Sequence, residues 1–136
     1  MESKAIQGSC LCGAVHYKIT KPIIFFKYCH CSRCQKNSGT AHAANILVKT
    51  DQFQWTQGEQ GVTRFELPTA KFFCTAFCNT CGSNMPWKTK NEKYYLIPAG
   101  SLDEDPEASP SANVFWKYHA PWYKDVADLP KHEEES

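Results

Sequence analysis

An all-β domain is what the sequence predicts, and three observations predict it. Short runs alternate apolar and polar residues with a period of two, the pattern of half-buried strands. Polar turns carrying Gly, Pro, Asn and Asp separate these runs. Only two stretches, 32–38 and 49–56, have the composition for a helical turn or two.

Taken in order, Val15, Tyr17 and Ile19 share one face of a first strand, with His16 and Lys18 on the other. Residues 23–28, Ile-Ile-Phe-Phe-Lys-Tyr, read as a more buried strand. Further strands are expected at 43–48, 61–67, 71–77, 83–88, 94–98 and 113–118. Residues 101–111, rich in Asp, Glu, Pro and Ser, form a loop. The 136 residues, 42% hydrophobic and 13% aromatic, suffice for one modest core. A single domain is expected over 4–130, followed by an acidic tail over 131–136.

Charge narrows the partners. With 15 Lys plus Arg against 14 Asp plus Glu, the formal net charge is +1, which supplies no field for nucleic acid or anionic lipid. No apolar run approaches the ~20 residues of a membrane span. Residues 1–7 lack the apolar centre of a signal peptide, so a cytoplasmic location is expected. Disulfides rarely persist there, and cysteines so closely spaced chelate more readily than they bridge one another. A framework of four disulfides is therefore the weaker reading.

Seven of the eight cysteines fall in three clusters: Cys10 and Cys12; Cys29, Cys31 and Cys34; and Cys78 and Cys81. In an extended strand, residues two apart are ~7 Å apart, too far for sulfurs sharing one tetrahedral zinc. The chain must therefore bend at 10–12, and Gly13 suits such a turn because it tolerates positive φ. Gly82 follows Cys81 in the same way. Two pairs make a closed four-sulfur zinc site, a structural staple between distant strands. The triplet supplies three thiolates and leaves one coordination position for water or an incoming thiol. Zinc there would keep a thiol ionised near neutral pH, which suits carbonyl–sulfur chemistry. Alternatively Cys74, His30 or His42 completes a second structural zinc. Arg33 and Lys36 are candidates for gripping a substrate carboxylate, and Lys36, His42 or Asn113 for the hydrogen-bond donor at the carbonyl oxygen.

The motifs resemble those of a known family. Residues 8–17 (GSCLCGAVHY), 29–39 (CHCSRCQKNSG) and 77–83 (FCNTCGS) are similar, in order, to the signatures of the glutathione-dependent formaldehyde-activating family, which includes the centromere-protein-V-like proteins. Ala99-Gly100-Ser101-Leu102-Asp103, Ala120-Pro121-Trp122 and Asp128-Leu129-Pro130 resemble its C-terminal landmarks. The resemblance implies a β-tent fold. It also implies two zincs: a structural one on Cys10, Cys12, Cys78 and Cys81, and a catalytic, labile one on Cys29, Cys31 and Cys34. One departure is Asn113-Val114-Phe115, where the family often has His-Ile-Phe.

The function expected is a zinc-dependent carbon–sulfur lyase or synthase of the S-hydroxymethylglutathione synthase kind. Its partners would be a glutathione-type thiol and a small carbonyl compound, and assembly into homo-oligomers stays open. The alternative is a non-catalytic zinc module that binds a thiol or a protein. Nucleic-acid binding ranks below both, because the aromatics at 25–26, 72–73 and 94–95 read as core and pocket wall rather than a stacking platform.

Overall fold

Alternation in the sequence becomes alternation in burial. The computed structural model describes residues 4–135 and contains ten strands and one α-helix among them. In chain order these are β1 (Ile6–Ser9), β2 (His16–Ile19), β3 (Phe25–Cys29), α1 (Ser32–Ser38), β4 (Ala43–Lys49), β5 (Phe53–Gln57), β6 (Val62–Glu66), β7 (Cys74–Cys78), β8 (Trp87–Lys88), β9 (Tyr94–Pro98) and β10 (Asn113–Val114). Tyr17 and Ile19 of β2 are fully buried while His16 and Lys18 are partly exposed, the facing that the period of two demands.

Three sheets result: β1-β2-β5, β10-β3-β4-β9-β8, and the pair β6-β7. Pairing is antiparallel throughout except for β10, which lies parallel to β3. The main core lies between the first two sheets: Ile6, Tyr17 and Ile19 meet Ile46, Val48, Tyr95 and Ile97. Phe53 stacks on Tyr95 at 3.9 Å between ring centroids and on Tyr17 at 5.5 Å. A second cluster joins Val15, Ala76 and Met85 to the sulfurs of Cys10 and Cys78.

The structure departs from the sequence reading at several places, among them 71–73, which precede β7 instead of joining it, and the half-buried β3. Residues 49–56, expected to be helical, form one 3-10 turn at Thr50–Gln52 and then enter β5. The Lys49 N–H donates to Gln52 Oε1 (2.7 Å) and closes the turn, after which Phe53 and Trp55 pair with β2. Aromatic residues with a sheet beside them take the strand, whatever their local helical composition. The strand β1 was not foreseen because Gly8 interrupts its pattern. That glycine is required: a Cβ at position 8 would lie 2.2 Å from the Tyr17 ring. In 113–118 only Asn113 and Val114 are extended, since Phe115 turns the chain at φ 55° and ψ 37° into a 3-10 turn at Trp116–Tyr118. In 83–88 only Trp87 and Lys88 form a strand, with Asn84 in an isolated bridge to Phe77. The helix expected at 32–38 is present as α1.

Candidate metal centres

All eight cysteines are free thiols, and two sets of them converge. The sulfurs of Cys10, Cys12, Cys78 and Cys81 lie within 4.8 Å of one another, as do those of Cys29, Cys31 and Cys34. The chain bends at each set as the ligand spacing requires. Gly13 (φ 82°) donates its N–H to the Cys10 carbonyl at 3.1 Å, and Gly82 (φ 77°) donates to the Cys78 carbonyl at 2.8 Å. The Val15 N–H donates to Cys10 Sγ (3.3 Å), so the turn supports negative charge on sulfur.

A tetrahedral shell with Zn–S near 2.3 Å places its sulfurs about 3.8 Å apart. The Cys10–Cys12 and Cys12–Cys78 separations are 3.6 and 3.9 Å, so the four-sulfur set fits a zinc ion and lies well outside disulfide distance. Ser83 ties the two turns together: its hydroxyl accepts from the Leu11 N–H (2.9 Å) and lies 3.2 Å from Cys81 Sγ. That hydroxyl, with the Ser83 N–H, pulls Cys81 down to about 5. Cys12 goes the other way: although the Ala14 N–H favours its thiolate, desolvation and the neighbouring sulfurs push it up to about 11. Four sulfurs crowded together cannot all ionise without a cation between them.

The second set comes from one continuous segment. Cys29 ends β3, and Cys31 caps α1, its sulfur accepting the Cys34 N–H at 3.3 Å. Gly39 (φ 69°) closes the helix by donating to the Gln35 carbonyl at 2.8 Å. The Cys34 thiol, donating to Cys29, outweighs desolvation and holds Cys29 down to about 6. Cys34 itself is pushed far up, first by the Cys29 sulfur and then by burial. The donor set is again that of a zinc site, with three thiolates rather than four.

None of the three residues considered as a fourth ligand joins this set. Cys74 is buried, and its sulfur lies 3.3 Å from Arg64 Nη2. His30 is fully buried; its Nε2–H donates to Asn113 Oδ1 (2.8 Å), while Nδ1 has no partner. His42 places its Nδ1 3.2 Å from the Ala43 carbonyl oxygen and stacks on Tyr28 at 4.2 Å. The Nδ1–H therefore donates, and Nε2 is left as an acceptor. Burial, outweighing that carbonyl, lowers the His42 pKa below the usual histidine value, so the ring is neutral near pH 7.

The three cysteines open on a cavity of about 900 Å³. Arg33, His42, Cys74 and the aromatics Phe72, Phe73 and Phe115 share its wall; Lys36 and Asn113 do not. Of the residues suggested for contact with substrate, Arg33 and His42 are thus placed at the cavity. Asn113 instead holds the segment between two cysteines, a role that only its distance to His30 reveals. His119, near the departure from the family pattern, stacks on Trp116 at 4.1 Å away from this wall. Phe115 was missed as a wall residue because its position depends on a turn with positive φ that nothing local in the sequence announces.

A family model described as glutathione-dependent formaldehyde-activating enzyme matches residues 5–118. Among solved structures, the chain is similar to a Rhodobacter sphaeroides protein, with a TM-score of 0.62 and 19% identity over 79% of this chain and 98% of that one. That likeness is one of fold. No curated protein sequence matches the chain.

Proposed function

We propose, from the premise that this chain belongs to the glutathione-dependent formaldehyde-activating enzyme family, that it is a zinc-dependent carbon–sulfur lyase or synthase acting on the adduct of a glutathione-type thiol and a carbonyl compound. The observation that carries this reading is the three-cysteine set, without a fourth ligand among the described residues, opening on a large cavity. Cys10, Cys12, Cys78 and Cys81 would hold a structural zinc, and Cys29, Cys31 and Cys34 a catalytic one. A zinc on three thiolates would lower the pKa of an incoming thiol. Arg33 would pair with a carboxylate of the thiol carrier in fork geometry. The neutral His42 would take the thiol proton on Nε2 and return it to the carbonyl oxygen as the carbon–sulfur bond forms.

The functional unit is residues 4–130, with the tail dispensable; 131–135 are exposed, and Ser136 lies outside the described residues. The reading places the protein in the cytoplasm, where eight free thiols persist. No helix among the described residues is long and apolar enough to cross a membrane.

Elemental analysis of the purified chain, with and without millimolar glutathione, tests this. Two zincs per chain are expected, falling to one on glutathione treatment with the circular dichroism spectrum kept, and a chain ending at Pro130 should behave identically. Two zincs unmoved by glutathione would instead favour a closed, non-catalytic module.

A further inference from the structure

The cavity is far larger than the simplest carbonyl needs. Formaldehyde has two heavy atoms, whereas about 900 Å³ is the scale of a site for a drug-sized molecule. Glutathione accounts for part of that volume, but it is a charged, polar tripeptide. Ser32, Arg33 and Asn37 of α1 offer it polar groups beside the cysteines. Beyond them lies an apolar part of the wall, where Phe72, Phe73, Trp87, Leu96 and Phe115 present carbon, with Asn45, Lys71 and Asn84 also on the lining.

Two of these residues are exposed in a way that packing does not explain. Phe72 is 71% exposed, on the connection between β6 and β7, and Phe115 is 59% exposed just after β10. Phe115 also sits at φ 55° and ψ 37°, a conformation that bulky residues seldom take. Such a backbone is strained and persists where the surrounding structure requires it, commonly at ligand sites. The strain leaves a ring uncovered at the cavity wall. Burial of an apolar ligand would cover both rings.

We infer that the carbonyl partner carries a bulky apolar group, aryl or medium-chain alkyl, that docks against Phe72 and Phe115. The inference rests on the carbon–sulfur reading of the three-cysteine site and names its substrate class. In the forward direction the thiol sulfur bonds to the aldehyde carbon. The carbonyl π pair moves to oxygen, which takes up the proton that the thiol gave up. The product is a hemithioacetal bearing the apolar group, and nothing is oxidised or reduced.

Binding separates this inference from the reading beneath it. Calorimetry on the full-length zinc-loaded chain would compare S-hexylglutathione with S-methylglutathione, two thioethers that cannot react. The hexyl ligand should bind at least about tenfold more tightly, since even one buried methylene is worth roughly that in a fitted pocket. In Phe72→Ala and Phe115→Ala that ratio should fall towards one, and Phe72→Leu should restore most of it. Both rings are exposed, so truncation leaves the core intact. A wild-type ratio near one, failure of both ligands to bind, or a large ratio indifferent to both alanine variants would overturn the inference. Intact discrimination with no turnover of glutathione plus formaldehyde, hexanal or phenylacetaldehyde would overturn the carbon–sulfur reading and leave the apolar subsite standing.

Discussion

In the four-cysteine set the sulfurs come from two turns, Cys12 and Cys78 standing 66 residues apart in the chain, and they lie against Val15, Ala76 and Met85. In the three-cysteine set they come from residues 29–34 alone and face a cavity. The local devices are nearly the same in both: cysteines at a tight bend, a backbone N–H aimed at sulfur, and a glycine at positive φ shortly after. What separates them is connectivity. A cation in the first set would cross-link β1 to β7, whereas one in the second would close only a local loop, and loop length governs how much a cross-link stabilises.

The strongest way to break this comparison is to remove one sulfur from each set. Cys81→Ser is expected to abolish cooperative thermal unfolding or to aggregate the protein, since structural zinc contributes on the order of 10 kcal/mol in peptide systems. Cys31→Ser should keep the fold and lose thiol binding. Equal loss of melting temperature in the two variants would show that both sets are structural.

Next in size is a change at the cavity that spares every sulfur. His42→Gln is expected to lower turnover by about 10²-fold, the usual contribution of a positioned acid–base group, with S-methylglutathione affinity kept within a few-fold. A matching loss of affinity and turnover would make His42 a wall residue and nothing more.

The smallest effects should be alike in the two sets. Gly39 and Gly82 both have positive φ and open space where a Cβ would lie. Alanine at either is expected to cost ~1–2 kcal/mol from the left-handed backbone alone. Chemical denaturation would measure it. A much larger loss at Gly82 than at Gly39 would mean that the turn itself, rather than what it connects, distinguishes the two sets.

Much of this was legible in the sequence, and the reasons differ by element. The sulfur groupings follow from spacing, because ligands within a few residues of one another constrain their own geometry. α1 was readable from its small polar run. The strands β1 and β5 were not readable, because Gly8 and Phe53 derive their roles from the Tyr17 ring across the sheet. The cavity was least legible of all. Its walls come from α1, β4, the stretch before β7, β8, β9 and the residues after β10, and no local pattern links those segments.

The parallel strand β10 has a further consequence for how copies of the chain meet. It edges the five-stranded sheet on one side, as β8 does on the other, and each is two residues long. The long strands β3, β4 and β9 therefore lie inside, and the sheet offers almost no unpaired backbone to a neighbour. Backbone bonds from Tyr28 to Ala112 and from His30 to Val114 fasten that short edge to the segment bearing Cys29 and Cys31. A second molecule could add a strand beside β3 only by displacing β10 and with it the support of the three-cysteine segment. Cover of the β3 edge and integrity of the site thus depend on the same two residues.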